Sequence, residues 1–165
     1  MPLAKIEELK NYFDRKSDPK NAAPRKLLGL DVGTKTIGLA ISDSAWRLAT
    51  PLDTIKRTKF TADMAALAAI IDDRGVGGLV MGLPLNMDGS AGKSAQSIRT
   101  FAHTILKTRD IPIVLWDERL STAAAERHLI AQDVSRKRRA ESIDKIAAHH
   151  ILQGALERLA TIDGL

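Results

Sequence analysis

The feature that most constrains this sequence is an apolar segment that runs into a glycine turn and returns as a second apolar segment. Residues 26–32 read Lys-Leu-Leu-Gly-Leu-Asp-Val, which is typical of a buried β-strand, and residues 33–35 read Gly-Thr-Lys, which is typical of a turn. Residues 36–43 are therefore predicted to form the hairpin partner. A third strand is expected within residues 47–57. These three strands predict a protein built on a β-sheet.

The remainder of the chain alternates between helical and strand patterns. Helices are predicted over residues 61–73, 93–107, 122–131 and 142–159, strands over residues 78–83 and 111–116, and a basic loop over residues 135–139. Three strands in hairpin order followed by alternating helices and strands predict an α/β fold. We expect a mixed five-stranded sheet with helices on both faces.

Composition limits the size and class of the protein. The chain has 165 residues, of which 44% are hydrophobic and 27% charged, so it can form one compact domain. We expect an N-terminal basic arm outside the core at residues 1–25 and a single domain at residues 26–160. No apolar run approaches the roughly 18 residues of a membrane span, and we expect a cytoplasmic protein.

Charge and residue types narrow the possible chemistry. A net charge of +5 favours a polyanionic partner such as nucleic acid. Aromatic residues make up only 4% of the chain, which argues against binding bases on an aromatic platform. The sequence has no cysteine, so thiolate metal sites and cysteine nucleophiles are excluded. Any metal chemistry must therefore rest on carboxylates and histidines.

Acidic residues occur where predicted elements meet. Asp31 lies near the end of the first strand, just before its glycine turn, and Asp117 and Glu118 follow the strand at residues 111–116. Strand alternation sends Asp117 and Glu118 to opposite faces, so only one can share a pocket with Asp31, and the spacing leaves open which one. Asp144 lies in the first turn of the predicted last helix, where Ser142 is a plausible N-cap. Each acid alone also suits a structural role, as a turn former or as a complement to the helix dipole.

Four motifs, in this order along the chain, resemble the YqgF family of precursor 16S ribosomal RNA nucleases and Holliday-junction resolvases. They lie at residues 28–43, 82–89, 117–122 and 143–148. The resemblance covers residues 26–159 and implies a ribonuclease H-like fold. It also implies that Asp31, Glu118 and Asp144 are the catalytic metal ligands, which selects Glu118 over Asp117. Carboxylates from separate elements suit hard cations, and the expected cofactor is Mg²⁺ or Mn²⁺, with two ions bridged by Asp31.

Further residues are expected to bind substrate. These residues lie in four places: the turn after the first strand, the loop at residues 86–94, the position after Glu118, and the basic run before the last helix. These candidates are Gly33, Thr34, Lys35, Asn86, Asp88, Gly89, Arg119, Arg136 and Arg138. The 86–94 loop is not a nucleotide-binding P-loop, because Met87 stands where the Walker spacing requires glycine.

The expected function is metal-dependent cleavage of phosphodiester bonds in structured nucleic acid. The first hypothesis is processing of the 5′ end of precursor 16S ribosomal RNA. The alternatives are a Holliday-junction resolvase in DNA recombination, which would favour a homodimer because two like cuts need two like sites, and a non-catalytic RNA-binding module. An actin-like ATPase is excluded by length, since 165 residues supply only one of its two subdomains.

Overall fold

The computed structural model describes residues 3–16, 26–120 and 136–163. Five strands run over Lys26–Val32 (β1), Thr36–Ser42 (β2), Ala49–Lys56 (β3), Val76–Leu83 (β4) and Ile113–Asp117 (β5). Four helices run over Ile6–Lys16 (α1), Phe60–Arg74 (α2), Lys93–Thr108 (α3) and Arg136–Asp163 (α4), and a 3₁₀ turn covers Glu118–Leu120. The predicted helix at residues 122–131 lies outside the described residues.

The five strands form one mixed sheet in the order β3-β2-β1-β4-β5. The β1–β2 and β2–β3 pairs are antiparallel, and the β1–β4 and β4–β5 pairs are parallel. The three hairpin-ordered strands and the mixed sheet predicted from the sequence are therefore confirmed. Parallel pairing brings the carboxyl ends of β1, β4 and β5 to one edge of the sheet.

Helices cover both faces of this sheet because the strands are apolar on both sides. Leu27 and Leu28, consecutive on β1, are both fully buried but belong to different hydrophobic clusters. The Leu28 cluster includes Leu67 of α2 and Ile105 of α3, whereas the Leu27 cluster includes residues of α1 and α4. Two covered faces are the expected packing for strands that are hydrophobic throughout.

Helix α4 lies unusually close to the sheet at two glycines. A Cβ built on Gly29 would stand 2.7 Å from the Leu152 Cβ and 2.9 Å from the Ala148 carbonyl oxygen. A Cβ on Gly38 would overlap the Asp144 carbonyl and stand 2.9 Å from the Asp144 Cβ. Side chains at these positions would push the helix away, so the two glycines bring Asp144 against β2.

Residues 3–13 pack into the core, which corrects the prediction of an arm outside it for this part of residues 1–25. Leu9 is fully buried and Phe13 is 3% exposed, both in the Leu27 cluster. Ala4 forms a parallel bridge with Val114, and its N–H donates to the Ile113 carbonyl at 2.9 Å. Apolar residues spaced i, i+4 give α1 one buried face, which covers the sheet beside α4.

Helix α4 begins earlier than predicted. It starts at Arg136, so the expected basic loop at residues 135–139 and the expected helix start at Ser142 are wrong. Arginine and lysine are good helix formers, and no glycine or proline interrupts the run, so basic character alone did not indicate a loop. Asp144 therefore lies about two turns inside the helix and not in its first turn. Within the described ranges, no helix combines the length and apolarity needed to cross a membrane.

Candidate active site

A pocket of about 450 Å³ opens beside the carboxyl ends of β1 and β4. Its walls include Asp31, Glu118 and Asp144, and we call it the acid pocket. The other lining residues are Val32, Gly33, Thr34, Arg57, Gly82, Pro84, Lys93, Ser94, Ser97 and Ile98. The three acids come from the end of β1, the turn after β5 and the interior of α4, so only the folded chain brings them together.

Asp31 and Glu118 lie on the face of the sheet that α4 covers. Asp31 pairs with Gly38 across the β1–β2 ladder, and Gly38 is the residue that Asp144 approaches. A Cβ built on Gly82 would stand 2.5 Å from Glu118 Oε1 and 2.6 Å from the Ile151 Cδ1 of α4. The Glu118 carboxylate therefore occupies the space that the missing Gly82 side chain leaves open.

Asp117 points elsewhere. Its two carboxylate oxygens each accept a bond of 3.0 Å from Arg119 Nε, and Oδ2 also accepts one of 2.7 Å from Arg119 Nη2. These bonds to the Arg119 guanidinium hold the pKa of Asp117 below its usual range. Asp117 is absent from the acid pocket lining, so the geometry brings Glu118 and not Asp117 beside Asp31.

Asp144 is oriented from β2. The Thr36 hydroxyl donates a hydrogen bond to Asp144 Oδ2. Together with the close approach at Gly38, this bond fixes both the backbone and the carboxylate of Asp144 relative to the sheet. Sequence reasoning missed Thr36, since nothing near it in the chain indicates a partner on the last helix.

The carboxylate oxygens of the three acids are suitable ligands for a hard cation, but they do not form a closed coordination site. Among the described residues, no three acidic or histidine side chains converge closely enough to hold a metal ion by themselves. Mg²⁺ commonly keeps several waters and takes only one or two carboxylates together with substrate phosphate oxygens. Carboxylates spread around an open pocket fit that mode of binding better than the closed cage of a structural metal.

Arg119 ties the loop at residues 86–90 to the end of β5. Its Nη1 lies 3.3 Å from the Met87 carbonyl oxygen and 3.5 Å from that of Asn86. Asp88 Oδ1 accepts bonds from the Ser90 N–H at 2.9 Å and the Ser90 hydroxyl at 2.6 Å, and these hold the pKa of Asp88 below its usual range. The loop is thus internally bonded and anchored by one guanidinium.

The predicted substrate-binding residues fall into three groups. Gly33 and Thr34 line the acid pocket with the acids. Five further residues are exposed and lie outside the pocket lining: Lys35, the loop residues Asn86, Asp88 and Gly89, and Arg119. Arg136 and Arg138 lie in the first turn of α4, and their side chains are outside the described residues.

Two cations in the acid pocket were missed by the sequence analysis. Arg57 follows β3, and Lys93 opens α3, whose N-cap Gly92 makes no side-chain capping bond. The sequence could have indicated Lys93, because it lies where a polar loop leads into a predicted helix. Arg57 carries no comparable signal, because it reaches the pocket only through the pairing of β3 with β2.

The sequence matches a family profile over nearly the whole domain. Residues 25–158 match the family described as RuvX, Holliday junction resolvase. The chain belongs to this family. It is a family of nucleases, enzymes that hydrolyse phosphodiester bonds. The resemblance drawn from the four motifs is therefore confirmed.

Curated relatives and a solved structure agree with this assignment. A Paramagnetospirillum magneticum protein named "Putative pre-16S rRNA nuclease" is 59% identical over 133 residues, 81% of this chain and 86% of the relative. A Bradyrhizobium protein of the same name is 62% identical over 136 residues, 82% and 84% of the two chains. Thermus thermophilus RuvC bound to a Holliday junction matches with a TM-score of 0.52 at 10% identity, covering 82% of this chain and 96% of RuvC. This likeness confirms the ribonuclease H-like fold and, at that identity, the fold alone.

Proposed function

We propose that this protein is a metal-dependent nuclease that processes the 5′ end of precursor 16S ribosomal RNA. The observation that carries the proposal is the meeting of Asp31, Glu118 and Asp144 in one open pocket on one face of the sheet. The names of the curated relatives support this RNA as the substrate. That substrate is a cytoplasmic molecule, so the proposal includes a cytoplasmic location.

In this proposal Asp31, Glu118 and Asp144 would hold divalent cations, Mg²⁺ or Mn²⁺, and two ions are expected. Such ions lower the pKa of a bound water and stabilise the charge on the leaving oxygen of a phosphodiester. Glu118 above Gly82 and Asp144 beside Gly38 present oxygen ligands from opposite sides of Asp31. Because three carboxylates repel a phosphodiester, Lys93 on the same walls offsets part of their charge and favours entry of the backbone.

The substrate-binding roles proposed for the flanking residues follow from their positions. Gly33 and Thr34 lie within the acid pocket, where their backbone can contact the phosphate that is cut. The loop containing Asn86, Asp88 and Gly89, anchored by Arg119, and the cations Lys35, Arg136 and Arg138 would contact the strand outside the pocket. These contacts set affinity and orientation and do not enter the chemistry.

The decisive experiment compares wild-type protein with Asp31→Asn on labelled precursor 16S RNA, with Mg²⁺, Mn²⁺ or EDTA. We expect metal-dependent cutting by the wild type, loss of that cutting in the variant because Asp31 would hold the metal, and retained RNA binding. Asp53→Asn is the matched control, because Asp53 is an exposed aspartate on the edge strand β3 and does not line the acid pocket. A wild-type protein that binds the RNA and never cuts it would favour the non-catalytic binding module.

A Holliday-junction resolvase is the second candidate, favoured by the description of the matching family. The same proteins should then be given a synthetic four-way DNA junction. Paired, symmetric nicks by a homodimer, with no RNA cutting, would support the resolvase instead.

A further inference from the structure

The turn between β1 and β2 is linked to two of the three acids of the pocket. Asp31 is the second-last residue of β1, just before this turn, and the Gly33 N–H donates to the Thr36 carbonyl at 2.8 Å to close the turn. Thr36 then donates its hydroxyl to Asp144 Oδ2, across 108 residues of sequence. The conformation of one short turn therefore affects both carboxylates.

Arg57 holds the same turn from the side of β3. Its backbone N–H donates to the Lys35 carbonyl at 2.8 Å, and its Nη1 donates to the Gly33 carbonyl at 2.7 Å. The first bond needs only a main chain, whereas the second needs the arginine side chain. The side chain thus adds a second attachment point at Gly33, two residues after Asp31.

The guanidinium of Arg57 is itself fixed by two neighbours. Its Nε lies 3.9 Å from Asp63 Oδ2, and its Cζ lies 5.3 Å from the ring centre of Phe101. The side chain of Asp63 is only 3% exposed, and Asp63 Oδ1 accepts the Thr58 N–H at 3.0 Å. A cation held by a buried carboxylate and an aromatic face is pre-organised, unlike a mobile surface arginine.

We propose that Thr36 and Arg57 are positioning residues for the metal ligands. Arg57 locks the Gly33–Lys35 turn, and Thr36 fixes the Asp144 carboxylate so that its other oxygen faces the acid pocket. Partners that orient a ligating carboxylate commonly change metal affinity by 10- to 100-fold when removed. This inference rests on the proposed function, because it assigns the acids to a divalent cation.

The experiment for Thr36 measures Mn²⁺ binding to the protein without RNA, by calorimetry. Thr36→Val removes the hydroxyl at nearly constant shape, and we expect Mn²⁺ affinity to fall by about 10-fold or more. Thr36→Ser keeps the hydroxyl and should restore most of the affinity. Thr50→Val, an exposed threonine on the edge strand β3, is the matched control. A folded Thr36→Val protein with wild-type Mn²⁺ affinity would overturn the role of Thr36.

The experiment for Arg57 separates positioning from direct contact with a phosphate. Arg57→Gln should weaken Mn²⁺ binding, while RNA affinity in EDTA should keep its dependence on salt. A phosphate contact predicts the reverse, with the slope of log affinity against log salt reduced by about one and Mn²⁺ binding unchanged. That reverse result would overturn the positioning role. Arg74→Gln, which changes an exposed arginine in the last turn of α2, is the control.

Folding and the proposed function are tested in the same samples. Because Arg57→Gln leaves buried Asp63 without its cation, Arg57→Lys is measured beside it, and thermal unfolding reports whether each variant folds. The lysine keeps the charge but cannot copy the arginine fork, so we expect it to weaken Mn²⁺ binding as well. If Arg57→Lys binds Mn²⁺ like the wild type, the positioning role of Arg57 is rejected.

The same measurements separate this proposal from the proposed function. A wild-type protein that binds Mn²⁺ without cutting RNA contradicts the nuclease function alone, whereas a wild-type protein that binds no Mn²⁺ contradicts both proposals.

Discussion

The carboxylate of Glu118 occupies the space directly above Gly82, 2.5 Å from where a Cβ would stand. Gly82 is therefore needed to make room for the Glu118 carboxylate and not to form strand β4. The neighbouring atoms are the ends of two flexible side chains, those of Glu118 and Ile151, so a methyl group can be accommodated if both move.

Gly82→Ala is expected to reduce RNA cutting more than stability. The new methyl displaces the Glu118 carboxylate, and misplacement of a catalytic group by about 1 Å can cost on the order of 100-fold in rate. Single-turnover cutting and urea unfolding should be measured on the same preparation. Equal rates for variant and wild type would show that Glu118 does not need its present position.

Gly38→Ala should destabilise the fold, because the added Cβ overlaps backbone atoms of Asp144 and not a flexible side chain. Overpacking of this kind costs about 1–3 kcal/mol in the free energy of unfolding. Gly92→Ala is the reference without overpacking, since its nearest neighbour would stand 3.8 Å away, and it should cost only the N-cap preference of glycine over alanine. Urea unfolding that shifts equally in both variants would contradict the close approach of α4 to β2.

Arg119→Lys should loosen the loop at residues 86–90. A single ammonium cannot hold both Asp117 oxygens and also reach the carbonyls of Asn86 and Met87. We expect faster hydrogen exchange at the Gly89 amide, which donates to the Asn86 carbonyl at 2.8 Å. Arg158→Lys, an exposed arginine on α4, serves as control. Unchanged exchange together with a reduced salt dependence of RNA binding would instead assign Arg119 to a phosphate.

The same loop should respond to pH through Asp88. Its pKa is lowered chiefly by the Ser90 hydroxyl and then by the Ser90 N–H, so the folded loop favours the ionised carboxylate. The resulting stabilisation is complete above the unfolded-state pKa of about 3.9 and is lost as the pH falls through the lower folded-state pKa. A carboxyl NMR titration should show Asp88 below its usual range, and Ser90→Ala should raise its pKa. A variant that titrates like the wild type would reject this cause.

The basic run at the start of α4 remains a prediction from sequence. Replacing both Arg136 and Arg138 by glutamine should weaken RNA binding and reduce the slope of log affinity against log salt by up to about two. The control replaces Lys107 and Arg74, two exposed cations at the ends of α3 and α2 away from the acid pocket. Equal loss in both double variants would indicate general charge and not a contact at α4.

Local pattern was sufficient for most of the sheet. The strand at residues 26–32, its hairpin partner and the two later strands were all predicted, because strand alternation and glycine turns are properties of neighbouring residues. Helix boundaries were less well predicted, since the basic residues at the start of α4 satisfy a loop and a helix equally well. The burial of α1 was not predicted, because its apolar face becomes buried only by packing against α4 and the sheet.

The sequence by itself determined that acids occur where strands end, and strand alternation predicted Asp117 and Glu118 on opposite sides, although Glu118 begins the 3₁₀ turn after β5. Only the tertiary structure decided that Glu118 lies beside Asp31, since that outcome depends on the register of β5 and β4 across the sheet. Thr36 and Arg57 were not predicted as site residues for the same reason. The contact of Thr36 spans 108 residues, and a periodicity read over a few neighbours carries no information about a partner so far along the chain.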